Sequence, residues 1–455
     1  MSTSIPAAAA QGEADAVRGA SKNLVNSAFA EAWQAKEAGR KICYLFVLGP
    51  VEILRAFDMY LVYPEISSAN MAAKKASLPF IRKAEDYGYS ADTCSYVTAD
   101  VGLYLSGNEH PLGKVPPPDL VVNDTLCNTY YKWSEVIHDF WGCPVFTLDH
   151  PVRLKKDGGY PYDIEEVYRQ DRDYVVRQLE ELIDACEKLT GRKFDEDRFK
   201  RNLVLGNRMG ELWCEIIEKT RHVPSPFDAV LDGYGYMGAM TTHKATPEGV
   251  AYLESVKAEL DDRIAKGIGA VPEERFRLLW MSAPCYPHFR KIPEMFRRWG
   301  ATFVYTPQFM QGTRGTYRSR MYDLDRPLES YAECLMDYFH ARNPRQAPQW
   351  SMGWWGGKDD IGNQLDLIRR FGADGIVLHA IKSCRLNSGG FADLREHLSR
   401  EGVPVLMLES DIADPRYFSE AQVRNRIEAF MEALQEKKYI RGASADKAES
   451  KGGAQ

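Results

Sequence analysis

The sequence contains no Cys-x-x-Cys pair, so it encodes no Cys-x-x-Cys loop of the kind that commonly holds a structural zinc. Basic residues are not in excess: 58 Lys and Arg stand against 64 Asp and Glu, a net charge of −6 with a pI near 5.9. That balance argues against a nucleic-acid surface and against a basic membrane anchor. Long apolar runs are missing too. The most apolar stretch, Ile42 to Tyr63, is interrupted by Gly49, Pro50, Glu52, Arg55 and Asp58, which excludes a spanning helix. The start, MSTSIPAAAAQGEADA, lacks the basic n-region and apolar core of a signal peptide, so a cytoplasmic location is expected. Thiols stay reduced there, and no disulfide framework is expected from the nine cysteines. A phosphate-binding loop is also lacking. GWWGGKDD at 353–360 leaves three residues between Gly353 and Gly357, and Asp359 follows Lys358.

What remains is an ordinary globular composition, 44% hydrophobic and 27% charged, over 455 residues, enough for two or three domains. The chain repeats a plan. An apolar strand (KICYLFVL), a Gly-Pro turn, a helix around VEILRAF and a second strand fill residues 41–63, and FRLLWMSAP, KIPEMFRRW, Gly300 and ATFVYT repeat it over 274–306. DLVVNDTLC leads through YYKWSEVIHDF and Gly142 to CPVFTLDHP; DGIVLHAIKSC leads through FADLREHLSRE and Gly402 to VPVLMLESD. Short Val/Ile/Leu runs alternating with amphipathic helices predict parallel sheets covered by helices. The fold expected is therefore α/β: two similar parallel-sheet, helix-covered domains with a helical region between them. The divisions are a flexible start and helix over 1–40, a first α/β domain over 41–160 and a helical region over 161–270. A second α/β domain over 271–438 and a flexible tail over 439–455 complete the chain. In the helical region, Asp163 and Glu166 have the spacing of a capping box, and a second helix is expected from about Asp195 to Lys219.

Among the cysteines, Cys94 (DTCSYVTADVG) and Cys127 (NDTLCNTYYKW) lie 33 positions apart in small, polar settings, and Cys384 sits in a third, HAIKSCRLN. Cys127 and Cys384 occupy corresponding places, each after an apolar strand where the chain turns toward a helix. Ligands of open α/β sheets bind beyond the carboxyl ends of the strands. Two facing domains would thus bring one cysteine each to a shared cleft, with Cys94 as the third. Three thiolates can hold three irons of a four-iron cluster and leave the fourth open for chemistry. The competing reading of any one cysteine is core packing. Cys186 fits it on its helical stripe, Cys214 and Cys334 have helical settings, and Cys43 and Cys143 open strands. Cys285 (SAPCYPHF) also follows a strand and is the best substitute ligand.

Together GPVEILRAFDM, DTCSYVTADVG, LVVNDTLCNTYYKW with GCPVFTLDHP, and GIVLHAIKSCRLNSGG resemble the family of 2-hydroxyacyl-CoA dehydratases and benzoyl-CoA reductases, over roughly residues 40–435. The resemblance implies a four-iron four-sulfur (4Fe-4S) cluster on Cys94, Cys127 and Cys384, its open iron facing an acyl-CoA. At the third site Ile381, Lys382 and Ser383 stand where many relatives carry polar residues ending in Arg-x-Cys, a departure that bears on cluster tuning more than on binding. Within the family the chain looks most like the larger cluster-bearing subunits of ATP-dependent benzoyl-CoA reductases. That likeness implies a smaller homologous cluster-bearing subunit, an ATP-hydrolysing activator with its own iron–sulfur cluster, and ferredoxin as upstream electron donor. The activity implied is reduction of an aromatic acyl-CoA ring to a cyclohexadiene thioester. The alternatives are dehydration of a 2-hydroxyacyl-CoA through a ketyl radical, which needs the same cluster, and a non-catalytic subunit that relays electrons.

Glu52 opens a helix after Gly49-Pro50. It reads either as a carboxylate complementing the helix dipole or, by the resemblance, as a proton-handling group. His379, five residues before Cys384, is either a proton donor or a hydrogen-bonded structural histidine. Arg314, Arg318 and Arg320 in QGTRGTYRSR suit CoA phosphates, although charged loops are commonly just solvated. Trp354 and Trp355 either line a flat pocket or pack beside a turn.

Overall fold

A computed structural model describes residues 7–151, 164–312, 321–339 and 358–452. Strands β1 (Ile42–Leu45) and β2 (Tyr60–Val62) are followed by a small antiparallel ribbon, β3 (Glu109–His110) with β4 (Gly113–Lys114), and then by β5 (Leu120–Asp124) and β6 (Val145–Leu148). Strands β1, β2, β5 and β6 form a fully parallel sheet in the order β2-β1-β5-β6. In the second half β7 (Phe276–Met281), β8 (Ala301–Tyr305), β9 (Gly375–Ile381) and β10 (Val405–Ser410) form another, in the order β10-β9-β7-β8. The first sheet runs second–first–third–fourth along the chain, and the second runs fourth–third–first–second. In both, the first and third strands are central neighbours, flanked by the second and the fourth, so the duplication visible in the strand pattern is a duplication of topology. In each sheet the winding direction reverses between the first and third strands, which is where open α/β sheets leave a crevice.

The strands form because their apolar runs can be buried on both faces. Every residue of β1, β5, β7 and β8 is buried. Glycine ends one of the intervening helices in the left-handed conformation. Gly142 closes helix Asn128–Trp141 in the left-handed region at φ 63° and donates its N–H to His138 O at 2.7 Å. Helices Glu165–Thr190 and Glu196–Lys219 cover one face of the first sheet through Tyr168, Val175, Leu179, Phe199 and Leu203. The second begins as expected, with the Asp195 carboxylate accepting the Arg198 N–H. Helices Gly233–Thr242 and Pro247–Ala265 pack against the long N-terminal helix Ala7–Glu37.

Three expectations change. Ile164, not Asp163, sits at the N-cap of Glu165–Thr190; Asp163 lies outside the described residues, and Glu166 instead meets Arg169 and Gln170. Helix Pro327–Phe339, assigned by sequence to the second domain, buries Tyr331, Cys334 and Leu335 in the core that backs the first sheet. Both ends hold more helix than expected, from Ala7 and as far as Gly452. Ala, Lys and Glu are frequent in these segments, and they are strong helix formers in their own right. Among the described residues no helix is long and apolar enough to cross a membrane.

Candidate active site

The fold carries Cys94, Cys127 and Cys384 to one place. Each is the N-cap of a helix: Cys94 of Ser95–Tyr104, Cys127 of Asn128–Trp141, and Cys384 of Arg385–Ser388. Cys127 and Cys384 each stand three residues beyond the third strand of their sheet, with similar extended backbones (φ −119°, ψ 117° and φ −114°, ψ 103°). All three line a cavity of about 190 Å³. Its other walls include Leu48, Ile66, Leu126, Met237, Tyr286 and Ile412, so it is mainly apolar and aromatic. Asn387 donates to Cys384 Sγ at 3.2 Å. Cys285 does not line the cavity; it is buried against Ser410. Cys43, Cys143, Cys186 and Cys334 are buried, and Cys214 is half-buried on helix Glu196–Lys219.

Polar contacts bind the three cysteine segments together. The Asp411 carboxylate, fully buried after β10, accepts from Ser95 Oγ, from Ser383 N at 2.9 Å, from Ala413 N at 3.1 Å and from Asp414 N at 3.0 Å. Ser95 N in turn donates to Ser383 Oγ at 3.1 Å. The residue after Cys94 and the residue before Cys384 are thus joined directly, across the two halves of the molecule. Trp133, in the helix capped by Cys127, donates Nε1 to Asp100 Oδ2 at 2.7 Å, on the helix capped by Cys94. Buried, well-bonded networks of this kind fix geometry.

Burial pushes all three thiols up. For Cys94 the negative potential of Cys384 and Cys127 adds to it; Cys127 is pushed to about 11, with the Thr129 hydroxyl and N–H opposing; Cys384 rises despite the Asn387 hydrogen bond. Three thiolates cannot share this cavity unless a polyvalent cation compensates them, which is the role of an iron–sulfur centre. No three His, Cys, Asp or Glu side chains among the described residues are grouped to hold a single ion. Cysteine sulfur is the donor that iron–sulfur clusters take, so the chemistry of the three side chains fits such a group.

A carboxylate that the sequence reading does not single out completes the cavity. Glu65, at the start of helix Pro64–Ala73, is buried there and accepts from Tyr130 OH at 2.6 Å and Val47 N at 3.3 Å. Its Oε2 has no hydrogen-bond partner among the described residues, and burial raises the group from 4.5 to about 8. At neutral pH it is a neutral acid able to give up a proton. An acidic residue after Pro64 reads as an ordinary dipole-complementing position; the flanking apolar run (YLVYPEI) is the one hint of burial.

The other candidates stand elsewhere. Glu52 is fully buried behind the first sheet, where Tyr331 OH donates to Oε2 at 2.6 Å and Lys244 Nζ lies 3.4 Å from Oε1; it does not line the cavity. His379 is buried with both nitrogens engaged, Nδ1 donating to Ala283 O and Nε2 accepting from Ser410 Oγ, each at 2.6 Å. Burial lowers it to about 4, so it is a neutral structural histidine. Arg314, Arg318, Arg320, Trp354 and Trp355 lie outside the described residues.

Two duplicated α/β units place three cysteines at one cavity, and sequence comparison gives the family. The profile of the family described as 2-hydroxyglutaryl-CoA dehydratase, D-component, matches residues 46–434, and the chain belongs to that family. It is similar to one of the subunits of benzoyl-CoA reductase from Thauera aromatica, 32% identical over 417 residues, covering 89% of this chain and 91% of the relative. The (R)-2-hydroxyisocaproyl-CoA dehydratase alpha subunit of Clostridioides difficile is 26% identical over 92% of this chain and 96% of its own. The (R)-2-hydroxyglutaryl-CoA dehydratase alpha subunit of Acidaminococcus fermentans is 24% identical over 91% and 96%. These relatives are subunits of enzymes.

Proposed function

We propose that the chain is the cluster-bearing subunit of an ATP-dependent reductase acting on benzoyl-CoA or a related aryl-CoA, in anaerobic breakdown of aromatic compounds. The observation that carries the proposal is the meeting of Cys94, Cys127 and Cys384 at one apolar cavity beside a protonated Glu65. The similarity to a benzoyl-CoA reductase subunit supports the choice of substrate. Cys94, Cys127 and Cys384 would hold a 4Fe-4S cluster, which when bound supplies electrons one at a time at very low potential.

The rest falls to the chain's own side chains. The aliphatic and aromatic walls strip water from a flat ring and keep bulk protons away from it. Burial keeps the Glu65 carboxyl protonated through neutral pH, and Tyr130 OH is the donor that would steady the carboxylate once the proton is gone. Reduction of the ring to a cyclohexadiene takes two electrons and two protons, and Glu65 is the acid placed to deliver one of those protons. The thioester carbonyl spreads the added charge. Without a phosphate loop in this chain, ATP hydrolysis and electron supply fall to a separate activator with its own iron–sulfur cluster, fed by ferredoxin, and a smaller homologous subunit completes the enzyme.

The second reading, a 2-hydroxyacyl-CoA dehydratase acting through a ketyl radical, is favoured by the dehydratase alpha subunits that match over the same length. Anaerobic assay with the partner subunit and activator separates the two. Consumption of benzoyl-CoA that requires both ATP and reductant supports the reductase. Turnover of a 2-hydroxyacyl thioester with benzoyl-CoA untouched replaces it. A cluster spectrum that responds to neither thioester, with no turnover of either, leaves an electron-relay subunit.

A further inference from the structure

The backbone treats the three cysteines of the cavity alike. Each caps a helix and has N–H groups of that helix's first turn directed at it: Tyr96 N at Cys94, Thr129 N at Cys127, and Leu386 N and Asn387 N at Cys384. Side chains do not treat them alike. Asn387 donates Nδ2 to Cys384 Sγ at 3.2 Å, the Thr129 hydroxyl favours the thiolate of Cys127, and among the described residues no side chain donates to Cys94. We propose that Asn387 is a tuning residue: its amide holds negative charge on the Cys384 sulfur and so raises the potential at which a cluster on the three cysteines takes up an electron. The inference rests on the reading of Cys94, Cys127 and Cys384 as cluster ligands, and it is the same for a reductase and for a dehydratase.

The fold sets Asn387 in place before any ligand arrives. Beyond β9 the chain closes on itself: Ile381 N donates to Ser388 Oγ at 2.8 Å, and Ser388 Oγ donates to Ile381 O at 3.1 Å. The segment between them wraps around Cys384, whose own N–H donates to Ile381 O at 3.3 Å. Asn387 sits inside this loop, on the short helix Arg385–Ser388, half-buried and on the wall of the cavity. A sulfur that has given up its proton can only accept, so the amide meets it with its NH₂.

Electrostatics gives the direction of the effect. An electron added at this site is one more negative charge in a cavity with mainly apolar and aromatic walls, and no Lys or Arg is among its described lining. Without a cation, the charge has to be met by oriented dipoles. Hydrogen bonds to the sulfurs are among the levers that set the potential of an iron–sulfur centre. A hydrogen bond to an ionised acceptor is roughly twice as strong as one between neutral groups, so the contact tightens as the sulfur gains charge and favours the reduced state.

The test is the midpoint potential of the complete chain, purified without oxygen, loaded with iron and sulfide, and followed by electron paramagnetic resonance during reductive titration. Asn387→Leu keeps the bulk of the side chain and removes the donor. Its midpoint should fall by about a tenfold change in the one-electron equilibrium, or about 59 mV. Thr129→Val strips the hydroxyl from beside Cys127 and should shift the midpoint the same way. Asn387→Gln, which returns an amide on a longer arm, should recover part of the loss, an ordering that a merely structural role would not produce. Iron and sulfide per chain should match wild type throughout. A loaded Asn387→Leu protein with an unchanged or raised midpoint overturns the inference and leaves the cluster reading standing. Failure of that variant to hold iron overturns it too, since a donor that only tunes is not needed for binding. A wild-type chain that takes up neither iron nor sulfide overturns both. A lowered midpoint, in an enzyme that leaves benzoyl-CoA unreduced, removes the reaction proposed above and keeps this assignment.

Discussion

Replacing Asp411 by Asn tests whether the cysteine site is assembled before any metal arrives. The carboxylate accepts four donors: Ser95 Oγ, Ala413 N and Asp414 N on Oδ1, and Ser383 N on Oδ2. An amide oriented to keep its oxygen toward the first three turns its NH₂ against Ser383 N, leaving a buried donor unmatched at a cost of about 1–3 kcal/mol. The three bonds that remain lose their charge assistance, roughly half their strength. Relief from burying an anion offsets part of this. The net expectation is about 2–4 kcal/mol of destabilisation. Denaturant unfolding of iron-free protein would show it as an earlier midpoint with an unchanged slope. Because the same contacts join Ser95 to Ser383, the reconstituted variant should also surrender iron to a chelator faster than wild type. An unshifted midpoint together with unchanged iron retention would refute the idea that this contact holds the site together.

Serine in place of Cys94, Cys127 or Cys384 should abolish stable iron loading, whereas Cys285→Ala should leave iron per chain unchanged; iron and sulfide analysis of protein purified without oxygen checks both. Glu65→Gln should lower turnover by about 10²–10⁴-fold, the usual worth of a positioned acid. It should also alter the pH dependence of stability. Unfolded Glu65 releases its proton near 4.5 and the native group near 8, so iron-free wild type loses stability as pH rises across that window and levels off above it, by up to about 5 kcal/mol. The Gln variant should lack that slope. Glu52→Gln should do the reverse, weakening the fold by about 1–3 kcal/mol through its contacts with Lys244 and Tyr331 while iron content and substrate affinity stay normal.

The strands and their duplication are legible in the sequence because a buried parallel strand has to be written as a run of Ile, Val and Leu, and such runs stand out without a partner; the strand order is not. The correspondence of Cys127 with Cys384 is legible for the same reason, since each is measured from the end of such a run. Cys94 is visible through its polar neighbours. What escapes is everything decided by distant contacts. Glu65 is an ordinary first-turn carboxylate until Tyr130, 65 positions away, closes over it. Asp411 looks like a strand-end acid until Ser95, 316 positions away, hydrogen-bonds to it. Glu52 shows the converse: its place in the first turn follows from the local sequence, but helix Pro327–Phe339 crossing to the first sheet sets it behind the site.

Cluster loading should be driven by pH, for reasons that lie in the thiols themselves. Burial and mutual repulsion keep Cys94, Cys127 and Cys384 protonated near neutrality, with Cys127 pushed to about 11. Before loading, the cavity therefore carries no thiolate charge, and an apolar wall tolerates it. Binding a cationic centre needs all three as thiolates, so loading must expel three protons, and the apparent affinity should rise by up to about 10³ per pH unit while pH stays below the thiol values. The same coupling makes the loaded site acid-labile. Calorimetry of reconstitution in buffers of different ionisation enthalpy would count the protons, and a titration from acid to neutral pH would give the slope. A loading reaction that releases no protons and ignores pH would mean that the thiols are ionised beforehand, the helix N-termini and the Thr129 and Asn387 hydrogen bonds having outweighed burial among Leu48, Ile66, Leu126 and Met237.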